Sequence, residues 1–290
     1  MTEIERAVES LDLLGETPLW CDHTQTLYWI DIDNRILRRF KPETGAREFF
    51  RFKGGYLGSL ALRASGGMLL GIDGDLLTWK PGGDPEPFAS LEPPERDTRL
   101  NDGRVDARGR FWVGSMDNQL HRPLGSFYRV DPDGAAPRLF DNIIVTNSVS
   151  FSPDQKTMYF SDTRRFVLWA FDIDIDDGVL TNKRVFHDHT ASRDRPDGTC
   201  VDADGGVWNA IFAGGRVVRY APDGRIDRAI DLPVTNPTCV CFGGSDLKTL
   251  FVTTARKFLS SERLEKEPLA GSVLALRPGA QGLPEHRFGG

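Results

Sequence analysis

Five oxygen-bearing side chains recur at one place in a repeated pattern along this chain of 290 residues. Six similar segments open with an apolar strand residue: Trp20, Ala61, Val105, Phe151, Val201 and Val240. Four residues before each stand Glu16, Leu57, Asn101, Asn147, Asp197 and Asn236. Carboxylates and amide oxygens facing one point are costly without a partner, because the acids repel and desolvated oxygens go unpaired. A hard divalent cation removes both costs. Oxygen-only donors select Ca²⁺, Mg²⁺ or Mn²⁺, although Zn²⁺ and Fe²⁺ also sit on carboxylates. A polar, water-filled channel mouth is the other reading of the same residues.

Other chemistries lack their parts. The chain has no Gly-x-Ser-x-Gly elbow, His-Glu-x-x-His helix, phosphate loop or Gly-x-Gly-x-x-Gly turn. None of His23, His121, His187, His189 and His286 falls at the repeated position. His187 and His189 share a strand face, but no third ligand stands near them in sequence.

The elements that position the oxygens follow from the repeat. Each unit has a short strand, a polar turn, a strongly apolar strand and a third strand, often followed by Pro, Asp or Gly. The apolar strands begin at Leu27, Met68, Phe111, Met158, Val207 and Leu250, 41 to 49 residues apart. Such a period with three or four strands per unit is the signature of a propeller. The fold expected is therefore all-β: a six-bladed β-propeller of four-stranded antiparallel blades around a central channel, forming one domain over residues 1–290. Inner strands line the channel, so equivalent positions on them form a ring. Residues Ile4–Leu11 are expected to add an outer strand to the last blade, and Ser260–Glu267 to form a loop helix.

Composition narrows the partners. A net charge of −6 argues against nucleic acid or an anionic membrane surface. No apolar run is long enough for a signal peptide or a membrane span, so a cytoplasmic enzyme with a small-molecule substrate and no evident protein partner is expected. Cys21 and Cys200 stand alone, and Cys239 and Cys241 read as small hydrophobes on one strand face.

At the repeated positions the sequence resembles the gluconolactonase family that includes senescence marker protein, or regucalcin. The matching stretches are Gly15-Glu16-Thr17-Pro18-Leu19-Trp20, Arg99-Leu100-Asn101-Asp102-Gly103, Thr146-Asn147 and Arg195-Pro196-Asp197-Gly198. Cys241-Phe242-Gly243-Gly244 and Thr253-Thr254-Ala255-Arg256 match as well. The resemblance implies one divalent metal held by Glu16, Asn147 and Asp197, with Arg99 and Asn101 contacting a sugar. Where the family commonly has an acid after the third apolar strand, this chain has Met116-Asp117-Asn118-Gln119, which puts Met116 and Gln119 at the substrate. Ser148 stands where the family often has glycine.

The chemistry expected is hydrolysis of a sugar lactone to its aldonic acid, with a cation polarising the carbonyl and a carboxylate taking the proton of water. Asp197 is the expected base, because Gly198 permits an unusual backbone angle and leaves space beside the carboxylate. Glu16, before Thr17-Pro18, is the expected fixed ligand. Asp102 reads equally as a turn residue or as a support for Asn101. A promiscuous metal-dependent esterase and a non-enzymatic calcium-binding propeller are the competing readings of the same ring.

Overall fold

Short apolar runs punctuated by Asp, Gly and Pro fold as antiparallel hairpins. The computed structural model describes residues 3–290 and places strands in six four-stranded sheets. Strand β1 (Ile4–Val8) precedes the first sheet of β2 (Gly15–Cys21), β3 (Thr26–Asp31), β4 (Ile36–Lys41) and β5 (Ala46–Arg51). The second sheet has β6 (Leu57–Leu62), β7 (Met68–Ile72), β8 (Asp75–Trp79) and β9 (Glu86–Ser90). The third has β10 (Thr98–Val105), β11 (Phe111–Asp117), β12 (Gly125–Val130) and β13 (Arg138–Ile143). The fourth has β14 (Thr146–Phe151), β15 (Thr157–Asp162), β16 (Val167–Asp174) and β17 (Val179–Asp188). The fifth has β18 (Arg195–Val201), β19 (Val207–Phe212), β20 (Arg216–Tyr220) and β21 (Ile226–Asp231). The sixth takes β22 (Pro237–Gly243), β23 (Thr249–Thr254) and β24 (Val273–Leu276).

The sixth sheet is completed by β1, which pairs antiparallel with β24 from Ile4↔Leu276 to Val8↔Val273. The N-terminal segment thus supplies the expected outer strand, ending at Val8. Helix α1 (Ser261–Lys266) lies between β23 and β24, with the Ser260 side chain accepting from the Arg263 N–H as its cap.

The sheets fall into two compact units. One comprises the chain up to Lys53 with Ser192–Pro284 and holds the first, fifth and sixth sheets; the other comprises Gly54–Ala191 with Glu285–Gly290 and holds the second, third and fourth. Each core lies between neighbouring sheets. In the first unit Trp20, Leu27 and Trp29 meet Cys241 and Phe251, and Trp208 meets Val240 and Phe242. In the second, Leu69 meets Leu100 and Phe111, and Trp112 and Phe127 meet Phe151 and Phe160. Buried indole N–H groups need acceptors. Trp29, Trp112 and Trp208 find them in Asp12, Asp106 and Asp202, each at 2.8 Å.

One irregularity repeats in all six sheets. Trp20, Val105, Phe151 and Val201 pair with Leu27, Phe111, Met158 and Val207. Five residues earlier, Gly15, Leu100, Thr146 and Pro196 pair with Asp31, Ser115, Asp162 and Ile211, only four residues further along the second strand. Each inner strand therefore carries one extra residue, a β-bulge. The second and sixth sheets obey the same count from Leu62↔Met68 to Leu57↔Ile72 and from Phe242↔Leu250 to Pro237↔Thr254. Next to the last paired residue stand Glu16, Gly58, Asn101, Asn147, Asp197 and Thr238. Leu57 and Asn236 are thereby corrected. The strands opening at Ala61 and Val240 run one and two residues further before facing Met68 and Leu250, so the shared position falls on Gly58 and Thr238.

Candidate functional site

In the second unit, neighbouring inner strands β10 and β14 join their bulges through a directed chain of hydrogen bonds. Arg99 Nη1 donates to Asn101 Oδ1 at 2.5 Å and to the Leu100 carbonyl at 2.9 Å. Asn101 Nδ2 donates to the Thr146 carbonyl at 2.8 Å and to Asn147 Oδ1 at 3.1 Å. Asn147 Nδ2 donates to Thr163 Oγ1 at 2.8 Å. These bonds fix which end of each amide is oxygen. An amide oxygen has two lone pairs, and Asn101 engages one on Asn147. Asn147 is a buried, oriented oxygen donor.

Arg99 is buried, with its guanidinium 5.5 Å from the Tyr56 ring centroid. Gly58 makes its place: a Cβ there would lie 2.0 Å from the Leu100 carbonyl oxygen and 3.1 Å from Arg99 Nη1. The position that presents a side chain in other sheets is blank in the second, and Arg99 occupies the space. Met116 is buried and pairs across the ladder with Arg99. Gln119 is exposed and donates to Asp97 Oδ2 at 3.3 Å. Between them, Asp117 is fully buried. Burial opposes its ionisation, but bonds from the Arg122 side chain and from the backbone N–H groups of Arg122 and His121 outweigh that and hold its carboxyl well below the usual range.

Asp102 resolves as a structural tie. Its carboxylate accepts the Val149 N–H at 2.8 Å, linking the bulge of β10 to that of β14. Burial raises its pKa to about 6 against the opposing effects of Arg104 and the backbone N–H groups.

In the first unit, β22 lies between β2 and β18. Glu16 and Asp197 are buried, at 8% and 6% exposure. Glu16 Oε2 accepts the Thr17 N–H at 2.9 Å, which orients the carboxylate. The bulge at Asp197 is held by Asn209, whose Nδ2 donates to the Asp197 carbonyl at 2.9 Å and to Thr199 Oγ1 at 2.6 Å. Thr238 Oγ1 donates to the Gly15 carbonyl at 2.5 Å.

Backbone strain sits elsewhere than the sequence suggested. Gly198 does not take a left-handed backbone, whereas Thr17 (φ 48°) and Ser148 (φ 62°), the residues after Glu16 and Asn147, do. Ser148 thus takes the angle a glycine would adopt freely, and its Oγ accepts from Ser161 Oγ at 2.8 Å. A Cβ on Gly198 would lie 2.1 Å from Cys239 Sγ, so the sulfur fills the space expected beside Asp197. Cys239 therefore packs against Gly198, while Cys241 joins the cluster around Trp20. His187 and His189 approach to 4.4 Å between ring centroids, and no group of three or more His, Cys, Asp or Glu among the described residues is placed to hold a metal. Gly58, Thr163 and Asn209 went unread in the sequence. Only Gly58 had a local signal, a glycine beside the repeated position.

Six bulged, four-stranded antiparallel sheets are the blades of a six-bladed β-propeller. Residues 14–256 match the model of the SMP-30/gluconolactonase/LRE-like region, and the chain belongs to that family. It is 37% identical to 6-deoxy-6-sulfogluconolactonase of Pseudomonas putida, over 98% of this chain and 97% of that protein. It is 31% identical to human regucalcin, over 95% of each chain. Among solved structures it is similar to a calcium-binding regucalcin from Agrobacterium tumefaciens, at TM-score 0.93 and 31% identity over 98% of this chain and 96% of that one.

Proposed function

We propose that the chain hydrolyses a sugar lactone to its aldonic acid in carbohydrate catabolism in the cytoplasm, using one divalent cation and acting as a single propeller domain. The reaction class is supported by membership of the gluconolactonase family and by the lactonase from Pseudomonas putida. All four cysteines are free and buried, in keeping with a reducing compartment, and no helix among the described residues is long and apolar enough to cross a membrane.

The observation that carries the reading is the orientation of Asn147. Its Nδ2 is tied to Thr163, so its oxygen is the end left to ligate. Glu16, Asn147 and Asp197 are the ligands we assign, each a buried oxygen donor of the kind a hard cation takes. Calcium is the ion suggested by the relative from Agrobacterium tumefaciens; zinc, manganese, magnesium and iron accept the same donors. Such an ion, when bound, supplies a Lewis acid for the lactone carbonyl.

The remaining roles belong to the chain. Arg99 and Asn101 orient the sugar hydroxyls, Asn101 through the second lone pair of Oδ1. Met116, paired with Arg99, lies against the ring, and Gln119 contacts its polar edge. A carboxylate oxygen of Asp197 takes the proton of the attacking water, while Glu16, oriented by Thr17, stays a ligand.

The test is acid release from a panel of pentono- and hexonolactones, with and without chelator. Turnover above the spontaneous rate, lost to chelator and restored by a divalent ion, is expected. A purified protein that accelerates no lactone with any of the five ions would overturn the proposal.

A further inference from the structure

Phe258 stands out in the first unit as a large aromatic that the core does not use. It is 67% exposed, and its backbone is left-handed at φ 66°, a rare conformation for a bulky residue. Both features are unfavourable, yet the segment is built to hold them. Arg256 and Lys257 donate their N–H groups to the Asp12 and Leu13 carbonyls at 3.3 and 2.9 Å. The Lys257 carbonyl accepts from Asn236 Nδ2 at 2.9 Å, and Lys257 Nζ pairs with Asp33 at 2.8 Å. Leu259, on the other side, packs against the core of the fifth and sixth sheets. Phe258 is thus pinned from both neighbours.

Its ring meets Phe212 edge-on, with centroids 6.3 Å apart, and Lys257 Nζ lies 5.4 Å from its centroid. Phe212 ends β19 and pairs across the ladder with Arg195, two residues along β18 from Asp197, or about 7 Å of strand. An ordered, exposed ring therefore stands at the end of the sheet that carries Asp197. Aromatic faces are electron-rich and attract the electropositive C–H face of a sugar ring.

We infer that Phe258, backed by Phe212, is a specificity-determining platform for the C–H face of the lactone ring. This inference rests on the lactonase reading above. Asn236, absent from the repeated position in the sheet, gains a role here in fixing the loop that presents the ring.

The test compares wild type with Phe258→Gly and Phe258→Trp. Glycine adopts the left-handed backbone without strain, so Phe258→Gly should not lower Tm, whereas its KM for a hexonolactone should rise about tenfold, the size of one lost stacking contact. Phe258→Trp should restore KM to within about twofold. Calorimetric titration with the unreactive sugar lactam should show the same order of affinities. Equal KM and equal lactam affinity in wild type and Phe258→Gly, with lactonase activity present, would overturn the platform alone. Lactam binding that depends on Phe258 in a protein that hydrolyses no lactone would leave the platform standing and overturn the lactonase reading.

Discussion

Asn147 donates from Nδ2 to Thr163 Oγ1 at 2.8 Å while accepting from Asn101 at its Oδ1, so a threonine outside the repeated position joins Asn101 in fixing which end of the amide is the oxygen. Removing that acceptor frees the amide to turn. Thr163→Val is expected to weaken divalent-ion affinity about tenfold, at the lower end of what partners behind a metal ligand contribute. Calorimetric titration of the chelator-stripped protein with Ca²⁺ or Mn²⁺ reads this directly. Unchanged affinity would remove Asn147 orientation from the argument.

Gly58 offers a second test. A methyl group there would overlap the Leu100 carbonyl oxygen at 2.0 Å and crowd the Arg99 guanidinium, both of them buried. Gly58→Ala should lower stability by about 3 kcal/mol, at the upper end of overpacking costs. For a chain of this size that is on the order of 5–10 °C in Tm. Because Arg99 must move, KM for the lactone should rise as well. Scanning calorimetry and initial rates measure the two effects separately.

The six-blade architecture was legible because six apolar strands at 41 to 49 residue intervals leave few alternatives. Four of the six repeated positions were legible too, since Glu16, Asn101, Asn147 and Asp197 each stand four residues before the residue that faces the opening of the second strand. The second and sixth sheets misled because an apolar run looks the same whichever residue pairs first, and Leu62 and Phe242 are as apolar as Ala61 and Val240. The partners of these residues could not be read at all. Cys239 against Gly198, between strands, and Thr163 against Asn147, from the turn after β15, are contacts whose side-chain directions the bulges reset. Phe258 has no signal of its own, because an exposed phenylalanine and a core phenylalanine are the same letter.

Stability should fall as pH rises from about 4 to about 6. Burial raises the pKa of Asp102, and of Asp12, from 3.8 to about 6. Between those values the folded chain keeps protons that the unfolded chain has released, so ionisation in this window favours unfolding. Carboxylates with lowered pKa, such as Asp117, act in the opposite sense at lower pH, where their contribution is lost as acid is added. For Asp102 the penalty at neutral pH is on the order of 3 kcal/mol. Asp102→Asn should flatten the slope by at most about 1.4 kcal/mol per pH unit, the value for one proton. Urea unfolding at pH 4, 5, 6 and 7 measures it, and an unchanged slope would contradict the buried-carboxylate account.

In the proposed mechanism Glu16 and Asp197 are the pair that separates ligand from base. The Thr17 N–H fixes Glu16 Oε2 at 2.9 Å, and the left-handed Thr17 backbone holds that geometry. Asp197 is held through its carbonyl, which accepts from Asn209 Nδ2 at 2.9 Å. Asp197→Asn keeps an oxygen that can ligate but removes the proton acceptor. Its turnover should fall on the order of 10²-fold or more, the usual size of general-base catalysis, and excess cation should not restore it. Glu16→Gln loses a charge from the ligand set, so its activity should drop at low cation and recover in part as the ion is raised. Rates measured across a cation titration for both variants decide the matter. Rescue of Asp197→Asn by added ion, with Glu16→Gln remaining inactive, would mean that Glu16 moves the proton and Asp197 is the ligand.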